Sequence, residues 1–547
     1  MSEHTDYDVV VVGAGFAGMY MLHRLRGLGL SAHVFEAGDG VGGTWYWNRY
    51  PGARCDVESM QYSYQFSDEL QQEWEWTERY ATQPEILRYA NHVADRFDLR
   101  KDMQFDTRVS EANYDDATCR WTIATEPVGA GNRASGQHDE VRAQFLIMAT
   151  GCLSSANIPD FPGRDSFEGP TYHTGKWPHE GVDFTGQRVG IIGTGSSAIQ
   201  SIPIIAKQAR ELVVFQRTAS YSVPAGNGPL DETQTKAIKA EYATFRANNS
   251  LSPTAIGAQL PTLEVSALAI APEEREKIYE ERWEHGGLPF LGAFIDLLLD
   301  KNANDTAAEF ARAKIRGIVK DPVVADRLSP TTVIGCKRLC VDTGYFDTFN
   351  RPNVELVDVS TTPIEEITPH GLRVGGREFE LDCIVFATGF DAMTGALAKI
   401  DIRGVGGQLL RDAWSAGPRT YLGLGTVGFP NLFTISGPGS PSVLTNMIVS
   451  IEQHVNWITD CIDYLRDNRY ERIEPTLDAQ DAWVEFVNMV ADFTLFPSCN
   501  SWYLGANVPG KPRVFMPLLG FPTYVQKCDD VAAKGYEGFA LSSAPSG

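Results

Sequence analysis

Four consecutive valines, Val9 to Val12, run straight into Gly13-Ala-Gly15-Phe-Ala-Gly18, and no other feature limits so tightly what this chain can fold into. A short, wholly apolar β-branched run suits a parallel strand buried on both faces. Glycines at that spacing let the backbone turn tightly, leave room for a bulky group against it, and let the next helix pack close to the strand. Met19 to Leu28 reads as that helix, and Ala32 to Phe35 as a second strand ending in Glu36. The helix N-terminus offers unpaired N–H groups and a positive dipole end to a pyrophosphate. Glu36 can accept hydrogen bonds from a ribose hydroxyl and would repel a 2′-phosphate, so this first site suits FAD or NAD rather than NADP. Its expected contacts are Gly13, Gly15, Phe16, Ala17, Gly18 and Glu36.

The pattern recurs. Arg188 to Ile192 reads as a strand, Gly193-Thr-Gly195-Ser-Ser-Ala198 as the turn, Ile199 to Ala209 as the helix, and Leu212 to Phe215 as the next strand, leading into Gln216-Arg217-Thr218. Ala198 in place of the third glycine is a tolerated variant. The residue after the second strand is here the cation Arg217, which pairs well with a 2′-phosphate dianion. Gly193, Thr194, Gly195, Ser196, Ser197 and Arg217 are therefore expected to hold NADPH.

Two further strands, Phe145 to Met148 and Ile384 to Phe386, each end in Ala-Thr-Gly, as though the chain crosses between nucleotide domains there. The expected fold is α/β, with two discontinuous Rossmann-like dinucleotide-binding domains. Residues 1–150 and 389–547 would bind FAD, and 151–228 with 331–388 would bind NADPH. The charged, helix-prone stretch 229–330 would be a helical insertion in the second domain. Ile451, Val455, Ile458, Ile462 and Leu465 mark an amphipathic helix packed on a core.

Composition excludes several other classes. A net charge of −23 and the absence of a Lys/Arg cluster argue against nucleic acid. The opening Met1 to Asp8 lacks the pattern of a secretion signal, and the greasiest run, Leu288 to Leu299, holds Asp296 and is too short to span a bilayer. Nine scattered cysteines suggest free thiols in a reducing cytoplasm. Cys336 and Cys340 lack a second ligand pair, so no metal is expected. No obligate protein partner is evident.

FAD beside NADPH implies hydride transfer to a flavin. A disulfide reductase would then need a cysteine pair soon after the first strand–helix–strand unit, where only Cys55 stands. Oxygen is the remaining acceptor. Phe167-Glu-Gly169-Pro-Thr-Tyr-His173-Thr-Gly-Lys-Trp177-Pro178 matches the FxGxxxHxxxW(P/D) fingerprint of the Baeyer–Villiger monooxygenases, between the two glycine turns. The likeness continues through Gly43 to Asp56, Gly335 to Arg338, Gly437 to Pro441 and Asn500 to Asn507. It thus covers essentially the whole chain and is nearest the phenylacetone and steroid monooxygenases.

The resemblance implies conversion of ketones, aryl or bulky cyclic ones, to esters or lactones with NADPH and O2 through a flavin C4a-peroxide. It makes Arg338 the catalytic cation and Asp56 the carboxylate that holds it. Lys337 joins Arg217 and Thr218 on the 2′-phosphate, and Trp502 contacts the nicotinamide cofactor. Thr44, Trp45, Arg54, Tyr62, Val109 and Met447 complete the cofactor contacts, and Ser440, Pro441, Ser442, Val443 and Leu444 border the substrate. His173 reads as a structural or conformational residue, with direct chemistry as the alternative, and Trp45, Trp177 and Pro178 read as packing. Two alternatives stand beside this reading: a flavin monooxygenase of sulfides or amines, and a non-enzymatic flavoprotein sensor.

Overall fold

The computed structural model describes residues 5–129, 139–257, 260–513 and 516–543; the opening residues Met1 to His4 lie outside them. Among the described residues, an eight-stranded sheet is built around Thr5–Val12. Ala32–Phe35 and Asp139–Met148 flank this strand in parallel. Arg120–Pro127 and Thr107–Asp115 extend the sheet antiparallel. Asp401–Arg403 and Leu432–Thr434 return to it from far along the chain. Val9, Val10 and Val11 are fully buried, as a strand covered on both faces must be.

A second, five-stranded sheet is parallel throughout, in the order Val354–Asp358, Glu211–Gln216, Arg188–Ile192, Cys383–Phe386, Thr171–His173. The fingerprint segment therefore contributes an edge strand rather than a free linker. Its Gly169 sits where a side chain would crowd the Phe167 ring and the Asp382 carbonyl. Trp177 is buried against Tyr172 and Phe184.

The two Ala-Thr-Gly segments have a structural reason to look alike. A side chain on Gly13 (φ +105°) would lie 2.7 Å from the Ala149 carbonyl oxygen, and one on Gly193 (φ +113°) would collide with the Ala387 carbonyl. Each segment thus crosses its own glycine turn, which forces small residues on both sides. Beyond them the two chains run side by side, with Asn157 N–H donating to Gly389 O (2.9 Å) and Asp391 N–H to Ser155 O (2.8 Å).

The helix Met447–Asp467 buries the stripe Ile451, Val455, Ile458, Ile462 and Leu465 and is tied to the helix Phe16–Gly27 by Tyr20 and Asn456 (2.8 Å). Residues 229–330 carry the helices Glu232–Ala240, Tyr242–Ser250, Pro272–His285, Lys301–Ile318 and Pro322–Leu328. Buried Arg246 fastens this region to the flank of the first sheet, donating to Gln61 O (2.8 Å) and Ser63 Oγ (2.6 Å). Among the described residues, no helix is long and apolar enough to cross a membrane.

The cysteines depart from expectation. Cys336 and Cys499, 163 residues apart, are joined as a disulfide, whereas Cys55, Cys119, Cys152, Cys340, Cys383, Cys461 and Cys528 are buried free thiols. Spacing alone could not reveal a pairing between two segments that meet only in the folded chain.

Candidate functional site

Glu36 closes the first glycine turn from within. Ala14 N–H donates to its Oε2 (2.7 Å) and Gly38 N–H to its Oε1 (2.8 Å). Burial raises its pKa against these backbone hydrogen bonds, which lower it. Each oxygen keeps a lone pair for a ribose hydroxyl. The bare backbone of Gly42 and Gly43, both at positive φ, folds over the turn, with a side chain on Gly43 only 2.9 Å from Gly15 Cα. A side chain on Gly18 would strike the Gly13 carbonyl, so the close packing of helix on turn depends on glycine there. These features fit a dinucleotide pyrophosphate without a 2′-phosphate.

Phe16 and Ala17 are buried behind the turn, and Thr44 opens the short helix Thr44–Trp47 with its side chain exposed. Trp45 Nε1–H donates to the Tyr62 hydroxyl (3.1 Å), and the Tyr62 ring meets Phe16 edge-on. Val109 lies buried on Thr107–Asp115 beside a register shift. Met447 begins the long helix, capped by Asn446, whose side chain accepts from Ile448 N–H (3.2 Å).

At the second turn, Thr194 Oγ1–H donates to the Thr218 carbonyl (2.8 Å), which draws Arg217 and Thr218 beside Gly193 and Gly195. Ser197 donates to Thr174, next to His173, and Ser196 meets Cys340 at 3.3 Å. That last contact brings the loop of Lys337 and Arg338 to the mouth of the turn. Burial lowers the Lys337 pKa, and the nearby Arg217 lowers it further. Two cations converging at a glycine turn form a receptor for a dianion.

The loop from Ile334 to Cys340 is held at both ends. Buried Asn304 accepts from Ile334 N–H (3.1 Å) and donates to Ile334 O (2.9 Å), while Cys340–Asp342 pairs with Ser222–Pro224. Between these ties Arg338 reaches across 282 residues to Asp56, with Nε–H donating to Oδ2 (2.5 Å) and Nη2–H to Oδ1 (2.6 Å). Its third arm, Nη1–H, donates to the Val443 carbonyl (2.9 Å). Burial pulls the guanidinium pKa down, but Asp56 and Tyr503 outweigh that and hold it well above its ordinary value. The group is a permanent cation fixed in direction.

Asp56 lies in a stretch that is itself braced on the second domain. Tyr50 O–H donates to Gln200 Oε1 (2.9 Å), Gln200 Nε2–H donates to Arg54 O (3.1 Å), and Arg54 is paired with Glu78 (3.0 Å). Val443 belongs to the turn Ser442–Leu444, entered through fully buried Ser440 and through Pro441, with fully buried Ser442 at φ +42°.

Trp502 is half-buried in the turn Trp502–Leu504, its ring edge-on to Tyr503 at 4.4 Å. Tyr503, missed in the sequence reading, stands beside Arg338, and burial pushes its hydroxyl up to about 12 against the pull of that cation. Asn507 Nδ2–H donates to Phe390 O (2.7 Å) and Lys511 Nζ–H to Ala392 O (2.6 Å), latching this segment to the interdomain crossing.

His173 is buried and neutral. Its Nδ1 accepts from Gly175 N–H (2.9 Å), its ring meets Phe390 edge-on, and burial lowers its pKa to about 4. It therefore touches the crossing segments and not the Asp56–Arg338 pair. Pro178 borders a separate surface cleft with Arg49 and His179.

With this geometry in place, the comparisons with known proteins converge. A sequence model of the flavin-binding monooxygenase-like family matches residues 6–226. A Baeyer–Villiger monooxygenase of Pseudooceanicola batsensis is 45% identical over 97% of this chain and 95% of its own length. A phenazine N-monooxygenase of Lysobacter antibioticus is 42% identical over 100% of this chain and 99% of its own. Among solved structures, an oxidised steroid monooxygenase bound to NADP superimposes with a TM-score of 0.92 at 53% identity, covering 98% of this chain and 100% of that one. The chain belongs to the Baeyer–Villiger monooxygenases, flavoenzymes that use FAD, NADPH and O2 to convert ketones to esters or lactones.

Proposed function

We propose that Arg338 is the fixed cation of this enzyme and Asp56 the carboxylate that aims it, with aryl or bulky cyclic ketones as the substrates. The observation that carries this reading is the two-pronged Arg338–Asp56 contact, made across 282 residues and steadied by the Val443 carbonyl. Bound FAD, held by Glu36 and the turn Gly13–Gly18, would supply the redox chemistry between NADPH, O2 and the ketone. Negative charge then develops on the carbonyl oxygen, and a guanidinium already in place stabilises it without reorganising. Arg338 cannot give up a proton, so its contribution is electrostatic.

Glu36 and the turn Gly13–Gly18 hold the FAD side. Gly193–Ser197, Arg217, Thr218 and Lys337 hold NADPH by its pyrophosphate and 2′-phosphate. Trp502 contacts the nicotinamide end, and the segment Ser440–Leu444 with Met447 shapes the ketone pocket. The two sheets support a domain division with residues 1–150 and 389–547 on the FAD side, 151–228 and 331–388 on the NADPH side, and 229–330 as the helical insertion. The ketone class rests on the 53% identity to a steroid monooxygenase. The cytoplasm, where NADPH is regenerated, is the proposed setting.

Arg338→Ala tests the assignment. NADPH should still bleach the flavin anaerobically, while ester formation falls by about 10²–10³-fold, the usual loss for one electrostatic donor. Ester formation at the normal rate removes Arg338 from the mechanism. A second reading, oxidation of a soft heteroatom, is favoured by the phenazine N-monooxygenase relative. Competition between a cyclic ketone and an N-heteroarene for the same oxygenation decides between them.

A further inference from the structure

Cys336 and Cys499 have no part in the chemistry assigned above, yet they stand beside two of its residues. Cys336 stands two residues before Arg338, and Cys499 three before Trp502. Their Cα atoms are 5.9 Å apart and their sulfurs are joined, within the span that a disulfide bridges without backbone movement. A small apolar group of Val333 and Leu504 surrounds the pair, and both cysteines are buried.

The two ends differ in how firmly they are held. The Arg338 loop is pinned by Asn304 and by the strand Cys340–Asp342. The Trp502 segment has only single turns, Phe496–Ser498 and Trp502–Leu504, and is latched to the interdomain crossing through Asn507 and Lys511. A bond at Cys499 therefore fixes a weakly structured segment to a rigid one. In a reducing compartment such a bond is characteristically transient and regulatory rather than structural.

We propose that Cys336 and Cys499 are a thiol–disulfide switch that tethers the Trp502 segment to the Arg338 loop and so controls release of the nicotinamide cofactor. This rests on the roles proposed for Arg338 and Trp502. Hydrogen peroxide, formed when O2 takes the electrons of NADPH without oxygenating a ketone, is the oxidant. Local opening of the weakly held Trp502 segment admits peroxide to the pair, where one thiolate attacks a peroxide oxygen and expels hydroxide, leaving a sulfenic acid. The second thiolate attacks that sulfur and expels a second hydroxide, so two thiols and one peroxide give one disulfide and two waters. A dithiol returns two electrons and two protons by exchange and restores the thiols. The enzyme's own wasted turnover thereby closes the wall that keeps the cofactor in place.

The test uses the FAD-loaded protein, treated with one equivalent of peroxide or with dithiothreitol. Peptide mapping should find the Cys336–Cys499 cross-link after peroxide and not after dithiothreitol. Reduction should speed hydrogen exchange across 496–513 by about tenfold, since the local opening free energy falls, and should speed NADP+ release in the stopped flow. Cys336→Ser and Cys499→Ser should match the reduced protein and ignore dithiothreitol. Chemically reduced native protein serves if either variant does not fold. Absence of the cross-link after peroxide overturns the proposal, and so does a cross-link whose reduction leaves exchange and NADP+ release unchanged. Normal ester formation by Arg338→Ala would instead overturn the site assignment while the exchange response persists.

Discussion

Asp56→Ala removes the carboxylate that aims Arg338 and leaves the guanidinium in the site. In the intact protein the pair makes two charge-assisted bonds of 2.5 and 2.6 Å. The Arg338 and Asp56 side chains are only 22% and 19% exposed. Breaking a buried pair from one side costs about 3–5 kcal/mol, because the remaining charge is left uncompensated. A fifth of exposure places this pair at the lower end, about 3 kcal/mol. With an unfolding entropy of about 2.1 cal/mol/K per residue, that corresponds to a fall in Tm of roughly 3 °C for a chain of 547 residues. The catalytic loss has a different origin. Released from its fork, Arg338 retains the Val443 carbonyl and Tyr503 and no longer points in one direction. Ester formed per NADPH should fall by about 10²-fold, the lower range for a misplaced electrostatic donor, and peroxide should account for the difference. Asp56→Asn, which keeps one acceptor, should fall between the two. Gas chromatography of the ester, a coupled peroxide assay and thermal unfolding are the measurements. An Asp56→Ala protein with unchanged Tm and unchanged coupling would show that the carboxylate neither holds nor aims the cation.

Arg217→Ala should raise the KM for NADPH by about 10–100-fold, the worth of one charged hydrogen bond, and leave NADH nearly untouched; an equal effect on both refutes the phosphate assignment. Gly13→Ala places a methyl group 2.7 Å from the Ala149 carbonyl at φ +105°, so the purified protein should lose its yellow flavin, and full FAD content would contradict the turn geometry. Burial lowers the His173 and His454 pKa values to about 4 and about 3 and raises that of Glu452 to about 7. Between pH 6.5 and 4.5 the unfolded chain therefore binds two protons at these groups and the folded chain one, so stability should fall by about 1.4 kcal/mol per pH unit on acidification; denaturant titrations that stay flat across that window rule this out.

Both glycine turns, their strands and the opposite charges that follow them were legible because each requirement is local. A buried strand, a tight turn and a helix must follow one another within about thirty residues. The partners expected of Glu36 and Arg217 follow from charge alone. The pair proposed as catalytic was legible only through family likeness, since nothing local links Asp56 to a guanidinium 282 residues away. Tyr503 was hidden beside Trp502, because spacing does not say which of two adjacent aromatics turns toward Arg338. The Cys336–Cys499 bond ran against a sound compositional argument, which treats scattered cysteines as independent and cannot see which two the fold brings together.

The two Ala-Thr-Gly crossings were legible in the sequence; what was not are the contacts that brace the Asp56 and Arg338 segments across the two sheets. Asp56 reaches the site on a stretch braced by Gln200 of the second nucleotide helix, and Arg338 arrives on the loop that follows the helical insertion. Neither charge has its partner unless both sheets are docked. An unpaired buried guanidinium costs several kcal/mol, so the Asp56–Arg338 contact itself favours the docked arrangement. His173 lies at the same junction, packed on Phe390 between the crossing segments, a place that suits the conformational role expected of it. The fingerprint segment therefore lies where the two sheets meet, and the side chains proposed for the oxygen chemistry, Asp56 and Arg338, are brought together by the same docking.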